Sequence, residues 1–232
     1  MTEPLAFNSM APSLMNVLRD VPFRLDEAAF LRLTRLHGLS EVQGLLDRVL
    51  PAARPKAAYK VCRIGRRGAK GVEIEGRVFT SEVLAENLQG VERVFPYVAT
   101  CGTELDPLEE GCADLFTRYC LDVLKELALA SARAKLLDHL RVSYGATDLS
   151  SMNPGSGDAR LWPLGQQRPL FDLMGNVEQA IGVRLTPSLL MQPNKSVSGI
   201  FFPSEHHFES CQLCTREDCP RRRAPYQGQA PK

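Results

Sequence analysis

The fold is decided by residues 91–140, which read VERVFPYVATCGTELDPLEEGCADLFTRYCLDVLKELALASARAKLLDHL. The first ten residues are mostly apolar with Pro96 among them, which predicts either an edge strand or a strand with an irregularity. After a turn, Asp106 and Pro107 are typical of a helix start, because the carboxylate caps free amides and proline fits the first turn. One long helix is predicted from there to about Leu140.

The predicted helix carries an apolar stripe along one face. Its members are three or four residues apart, which is the spacing of a buried helix face. Two of them, Cys112 and Cys120, are thiols, and a thiol at such a position usually acts as a small buried hydrophobe. They are therefore predicted to be core residues and not ligands. The stripe comprises Cys112, Phe116, Cys120, Val123, Leu127, Ala130, Ala134 and Leu137.

Upstream of this segment the pattern changes from helices to strands. Residues 1–24 are predicted to form a helical N-terminal extension, and Asp26 and Ser40 can each cap a short helix in the region that follows. Glu75 and Gly76 stand between two β-rich runs, which predicts a hairpin.

Downstream, residues 150–167 are rich in turn formers, a short helix is predicted around 170–181, and the last part of residues 191–202 can form a strand. Helices and hairpin-like strands alternate without βαβ spacing or internal repeats. The fold class is therefore α+β, with mixed helices and a mainly antiparallel sheet. A single domain is predicted over residues 25–203, followed by a Cys- and Arg-rich tail over residues 204–232.

Composition and charge narrow the class of protein. The 232 residues carry a formal net charge of +1, so charge gives no reason to expect nucleic acid or a membrane as partner. The acidic start of the chain lacks the features of a secretory signal, and no apolar run reaches membrane-spanning length. Seven cysteines without an export signal favour reduced thiols, some of them metal ligands. The expected location is the cytoplasm.

Three blocks carry a resemblance to a known family: WPLGQQRPLF at 162–171, IGVRLTPS at 181–188 and MQPNKSVSGI at 191–200. In order and spacing they resemble the activation domain of cobalamin-dependent methionine synthase, particularly its standalone anaerobic-type members. NPGSGD at 153–158 is similar to that family's Pro-Gly-Tyr-Gly loop. The likeness covers roughly residues 25–202.

The resemblance implies an activity and a binding site. The family binds S-adenosylmethionine and caps a corrinoid-bearing partner, so that cob(I)alamin formed by one-electron reduction of cob(II)alamin is methylated. Cobalamin would be supplied by the partner, and the protein would contribute placement. Glycine also permits close backbone approach to a ligand, although a glycine-rich turn is often only a turn. The predicted groove is lined by Pro154, Gly155, Ser156, Gly157, Ser196, Val197, Ser198 and Gly199; no residue is predicted to be catalytic.

Two positions depart from the family pattern. The family usually carries an arginine and a tyrosine where this chain has Ser151 and Ser156. Since an arginine can hold a carboxylate with two parallel hydrogen bonds, weaker ligand binding is expected. Arg160 can substitute for the missing arginine or can be a solvated loop residue.

The tail contains the spacing C-x2-C-x4-C-P, formed by Cys211, Cys214, Cys219 and Pro220. Two cysteines three residues apart can wrap one metal ion, and a third nearby adds a further ligand, which predicts zinc or an iron–sulfur cluster. The fourth ligand stays open; the candidates are Cys101, His206, His207, Cys62 or an exogenous group.

The possible partners follow from the two candidate sites. Arg221, Arg222 and Arg223 can stabilise an anionic cluster, attract an acidic electron donor such as a flavodoxin-like or ferredoxin-like protein, or be solvated. Three functions remain open: a reactivating component for a corrinoid methyltransferase such as methionine synthase, a docking module for a corrinoid protein, and a metal-binding protein unrelated to cobalamin.

Overall fold

An antiparallel sheet forms the centre of this computed structural model, which describes residues 13–158, 160–205, 208–216, 219, 222 and 224–228. Its strands are β1 (Asn16–Leu18), β2 (Lys56–Tyr59), β3 (Cys62–Gly68), β4 (Gly71–Ile74), β5 (Arg77–Thr80), β6 (Arg93–Thr100), β7 (Leu149–Met152) and β10 (Ser196–Pro203). Strand β6 is central: it pairs with β10 along one edge and with β2 and β3 along the other. Strands β8 (Arg184–Leu185) and β9 (Met191–Gln192) pair separately.

Helices cover both faces of this sheet. They are α1 (Glu27–Thr34), α2 (Gln43–Ala52), α3 (Glu82–Asn87), α4 (Asp106–Glu110), α5 (Leu115–Tyr144), α6 (Gln167–Met174) and α7 (Val177–Ile181). On one face, α5 buries Leu136 against Tyr97 and Phe201. On the other face, Val98 packs with Val177 of α7. The predicted α+β class with a mainly antiparallel sheet is confirmed, and within the described residues no helix is both long and apolar enough to cross a membrane.

The proline in β6 lies in a central strand, so the edge-strand alternative is wrong and the irregular-strand alternative is confirmed. Pro96 pairs with Ile200 of β10. Along its other edge, β6 pairs first with β3 and then with β2. Between those two strands the Lys60 amide donates to the Pro96 carbonyl at 3.0 Å. The missing amide hydrogen of proline is tolerated because regular pairing is interrupted there.

The predicted single long helix is divided into α4 and α5. The Asp114 carboxylate accepts the Phe116 and Thr117 amides and starts a second helix. Cys112 therefore lies in the connection, half-buried, and its predicted place on the buried helix stripe is wrong. Cys120 is fully buried in α5, as predicted.

A buried lysine holds the two helices together. The Lys125 ammonium contacts Asp106 at 2.8 Å and Glu109 at 2.6 Å, and its side chain is only 2% exposed. Because a buried cation needs paired anions, the carboxylates that mark the start of α4 also fix that helix onto α5.

Two predictions for the N-terminal half of the chain have different outcomes. The hairpin is confirmed, with Glu75 at φ 48° and Gly76 at φ 75° between β4 and β5. Residues 16–18, assigned to a helical extension, instead form β1 and pair with β2. The domain boundaries after residues 24 and 203 stay predictions.

Candidate functional site

An open strand edge lies where the two predicted binding blocks meet. Strand β10 pairs with β6 over residues 196–201, but with β7 only over residues 200–203. Among the described strands, none therefore pairs with the β7-side edge of β10 over residues 196–199. Backbone groups at such an edge are available to a loop or a ligand.

The side chain of Asn153, which follows β7, bridges to this edge. Its amide donates to the Ser198 carbonyl at 2.8 Å and to the Tyr97 hydroxyl at 2.8 Å. Gly199 permits this contact, because a Cβ there would lie 2.2 Å from the Asn153 amide nitrogen and 2.5 Å from the Met152 carbonyl oxygen. The loop and strand blocks are thus brought together through a buried amide, which sequence reasoning did not single out.

The glycine loop after Asn153 is ordered by backbone contacts. Gly155 and Gly157 have φ of 74° and 77°, a region that side chains rarely adopt. The Gly155 amide donates to the Trp162 carbonyl at 2.8 Å. A Cβ on Gly155 would overlap Leu164, and one on Gly157 would lie 3.3 Å from the Ser210 carbonyl oxygen. The space beside both glycines is therefore already occupied by protein.

The remaining predicted binding residues differ in exposure. Pro154 is buried, whereas Ser156 and Val197 are half-buried. The Ser196 hydroxyl donates to Thr100 Oγ1 at 2.9 Å and lies 2.8 Å from the Pro193 carbonyl oxygen. The Ser198 hydroxyl is buried and has no hydrogen-bond partner in the described structure.

Arginine approaches the loop from an unexpected element. Arg133 of α5 donates from Nη2 to the Ser151 hydroxyl at 2.9 Å, and its guanidinium lies 5.4 Å from the centre of the Phe201 ring. Arg160, the sequence-based substitute, is 87% exposed and pairs with Asp158 at 2.6 Å. Hydrogen bonds from Arg160 hold the pKa of Asp158 at about 2. The helical period alone could not have found Arg133, since it does not show which strand the side chain reaches.

The first part of the tail packs against the sheet. Phe208 is buried in the same apolar cluster as Trp162, and its amide donates to the Ser150 hydroxyl at 2.6 Å. A one-turn helix, Ser210–Leu213, follows and places Cys214 beside Gly157. This part of the tail therefore contacts the predicted binding loop.

One arginine gathers the backbone around the tail cysteines. The Arg222 guanidinium donates to the carbonyl oxygens of Cys211 at 2.9 Å and Cys214 at 3.1 Å, and the Arg222 amide donates to the Cys219 carbonyl at 3.0 Å. Arg222 therefore links backbone segments of the tail through hydrogen bonds. Arg221 and Arg223 lie outside the described residues.

The predicted metal ligands lie in a part of the tail that is only partly described. Cys211, Cys214 and Cys219 are half-buried, and no three His, Cys, Asp or Glu side chains in the described part of the chain form a group that could hold a metal ion. Zinc or iron–sulfur binding by these cysteines stays a prediction.

Two of the fourth-ligand candidates are buried thiols. Burial raises the pKa of the Cys62 thiol to about 11 and that of Cys101 to about 12, so both are neutral thiols at neutral pH in the metal-free protein. The other two candidates, His206 and His207, lie outside the described residues, as does Pro220 of the motif.

Two cavities of the described structure lie elsewhere. One, of about 900 Å³, is open to solvent between Glu86, Tyr144 and Glu205. The other, of about 790 Å³, is lined by Arg63, Arg67 and other residues of the β3 side. Neither contains a predicted binding residue.

Comparisons with known proteins agree with the sequence resemblance. Residues 150–219 match the family model described as "Vitamin B12 dependent methionine synthase, activation domain", a span that ends at Cys219. Among solved structures, "Crystal Structure of the MetH Reactivation Domain bound to AdoHcy" matches with a TM-score of 0.63 and 14% identity, covering 89% of this chain and 86% of that one. No curated protein matches. The resemblance is therefore confirmed: residues 150–219 carry the pattern of the methionine synthase activation-domain family, within a chain that has the fold of a reactivation domain.

Proposed function

We propose that this protein binds S-adenosylmethionine at the open edge of β10 and supports reductive methylation of cobalamin on a methionine synthase-type partner. The observation that carries the proposal is the junction of loop and strand, where Asn153 joins residues 154–157 to residues 196–199. The family match spans the same residues, 150–219. The similar solved domain is bound to AdoHcy, the demethylated product of this ligand.

The residues at the junction fit such a ligand. The Ser198 hydroxyl and Arg133 Nε are buried polar groups without a hydrogen-bond partner in the described structure, and a ligand with hydroxyl and carboxylate oxygens can satisfy groups of this kind. The free strand edge offers further backbone donors and acceptors. The protein's role is to hold the ligand in line and to exclude water, since no nucleophile of its own is required.

The reaction itself is a methyl transfer between two bound molecules. One electron reduces cob(II)alamin to cob(I)alamin. Cob(I)alamin then takes the methyl group of S-adenosylmethionine as the methyl carbon–sulfur bond breaks, which leaves methylcobalamin and AdoHcy. The corrinoid belongs to the partner, and the electron comes from a flavodoxin-like or ferredoxin-like donor. The cytoplasm, where such partners occur, is the proposed location.

The direct test is calorimetry with S-adenosylmethionine and AdoHcy. Wild type should bind both, and Asn153→Ala should bind roughly 3- to 10-fold more weakly, the usual effect of losing a neutral hydrogen bond. Gln43→Ala is the matched control, because the exposed Gln43 side-chain amide donates to Asp47 Oδ1 at 2.8 Å within α2. Absence of wild-type binding at millimolar ligand would rule out the proposal.

A corrinoid-docking module without methyl-donor binding is the second candidate. It is favoured by the filled space beside Gly155 and Gly157, where Leu164, Ser210 and Cys214 occupy positions that a ligand would need. This candidate predicts no calorimetric signal with either ligand but retained association with a corrinoid protein in sedimentation velocity.

A further inference from the structure

Two of the tail cysteines lie one helical turn apart. Cys211 is part of the one-turn helix Ser210–Leu213, and Cys214 follows it directly. The Cys214 amide donates to the Cys211 carbonyl at 3.3 Å, which closes the turn. Because a 3₁₀ turn has three residues and rises about 2 Å per residue, the two side chains lie on the same side of the helix and their Cα atoms are about 6 Å apart. A disulfide bond joins residues whose Cα atoms are about 4.4–6.8 Å apart, so the two thiols can reach each other.

The backbone of this pair is held by the later part of the tail. The Arg222 guanidinium donates to the carbonyl oxygens of Cys211 at 2.9 Å and Cys214 at 3.1 Å. Between them, the Gln212 carbonyl accepts the Gln227 amide at 2.8 Å. Because these bonds keep the turn closed, the two sulfur atoms can meet by rotation of the side chains.

Exposure separates this pair from the thiols of the core. Cys211 and Cys214 are half-buried, whereas Cys62, Cys101 and Cys120 are buried. Burial raises the pKa of each of the three core thiols. Since the thiolate is the form that attacks a disulfide, the core thiols are poor reactants for thiol–disulfide exchange. The tail pair combines access to solvent with a neighbouring thiol.

The pair also adjoins the glycine loop of the proposed binding site. A Cβ built on Gly157 would lie 3.5 Å from the Cβ atom of Cys214. The same loop is bonded to Trp162, whose carbonyl accepts the Gly155 amide at 2.8 Å. On the side of the tail that leads to this turn, Phe208 is buried in the core. Because that end is fixed, a change at Cys214 acts on the loop.

We infer that Cys211 and Cys214 form a reversible disulfide that acts as a redox switch on this loop; its effect on ligand binding rests on the proposed function. The oxidant is a small-molecule disulfide such as oxidised glutathione. One cysteine thiolate attacks a sulfur atom of the oxidant, which gives a mixed disulfide and releases one small thiol. The second cysteine then attacks the protein sulfur of the mixed disulfide and releases the other small thiol. Two protein thiols are oxidised, one small disulfide is reduced, and the two cysteine protons pass to the released thiols.

The dithiol form is the one that binds the ligand. Cys214 occupies space beside Gly157, so a ligand that approaches this glycine requires the turn to move. A disulfide restricts the conformations open to the turn. The oxidised protein should therefore bind AdoHcy more weakly, which suits a reaction that itself needs a reductant.

The first test measures the disulfide directly. Purified protein is equilibrated with several ratios of reduced and oxidised glutathione, and the remaining thiols are alkylated and located by mass spectrometry. Wild type should lose two thiols, at Cys211 and Cys214. The Cys214→Ser variant should form no internal disulfide, whereas Cys219→Ser, the matched control in the tail, should still form it.

The second test follows the loop without any ligand. Trp162 is the only tryptophan of the chain, and its backbone is bonded to the glycine loop. Its fluorescence should change when wild type or Cys219→Ser is oxidised and should stay constant in Cys214→Ser. In calorimetry, oxidised wild type should bind AdoHcy at least about threefold more weakly than reduced wild type, and a reductant should restore the affinity.

The outcomes separate the switch from the proposed function. A thiol count that stays constant in oxidised glutathione overturns the inference, also where a metal bound at the tail protects the thiols. A disulfide that includes Cys219, or one that leaves the fluorescence of Trp162 unchanged, overturns it as well. Equal AdoHcy affinity in the two redox states removes the switch and leaves the proposed function. Reduced wild type that does not bind AdoHcy removes the proposed function, and the thiol count and fluorescence then decide the switch on the loop.

Discussion

The junction at β10 and the cysteine tail were both predicted as sites, but their residues are held in place by different contacts. At the junction, residues more than 40 positions apart meet through one amide hydrogen bond of 2.8 Å. In the tail, Arg222 holds the backbone carbonyls of Cys211 and Cys214, and no group of three metal-binding side chains is found among the described residues.

The difference has a physical origin. Strand pairing fixes the register of β7, β6 and β10, and burial then selects the side chains that fit between them. Strand pairing does not position the tail thiols in this way. The bonds that would bring them together require a metal, and metal binding is commonly coupled to folding of the ligand loop.

The largest effect is expected where the tail joins the core. Phe208→Ala should lower the free energy of unfolding by about 3–5 kcal/mol, as for other buried aromatics, because Phe208 is 1% exposed and packs with Trp162. Urea denaturation measures this loss. Tyr226→Ala is the control in the later tail, where the side chain is 55% exposed, and should cost less than about 0.5 kcal/mol. Equal effects would mean that the early and late parts of the tail are held equally firmly by the core.

The next largest effect is expected at the junction. Gly199→Ala places a Cβ against the Asn153 amide and the Met152 carbonyl and should destabilise the protein by about 3 kcal/mol, the upper range of overpacking. Gly165→Ala has no heavy atom within 4 Å of the added Cβ and should be neutral to within about 0.5 kcal/mol. A Gly199→Ala protein as stable as wild type would show that the loop and β10 are not tightly joined.

Much of this architecture was accessible from sequence, and the exceptions have specific causes. The hairpin at Glu75 and the cap at Asp26 follow from local turn and capping chemistry. The break between α4 and α5 was missed because the apolar spacing continues through Cys112. Nothing in that spacing shows that Asp114 caps a second helix. Arg133 was missed because its role depends on tertiary packing against Ser151, which no local pattern encodes.

A buried thiol offers a contrast with those of the tail. Burial raises the pKa of Cys62 from 9.0 to about 11, so the neutral thiol is favoured in the folded state. The stabilisation is complete below pH 9 and is lost as the pH rises toward 11, because the unfolded chain ionises first. Wild type should therefore lose about 2 kcal/mol more than Cys62→Ala between pH 9 and pH 11. Urea titrations at several pH values measure the difference, and parallel pH profiles for the two proteins would contradict it.

The smallest effect on stability is expected from the tail cysteines in metal-free protein. Cys211, Cys214 and Cys219 are half-buried, so each serine variant should change the free energy of unfolding by less than about 1 kcal/mol. If the tail binds a metal, the same variants should also release it from anaerobically purified protein, because serine is a harder ligand that stays protonated at neutral pH.

The colour of the wild-type protein distinguishes the two metals. A protein with an iron–sulfur cluster would be brown and would bleach in air. A zinc protein would be colourless, and electron transfer would then fall to a separate flavoprotein. Cys112→Ser is the control and should retain all metal, since Cys112 lies in the α4–α5 connection and donates to the Asp114 carbonyl at 3.4 Å. Full metal content in all three tail variants, or wild type without stoichiometric metal, would leave the tail a packing element held by Phe208 and Arg222.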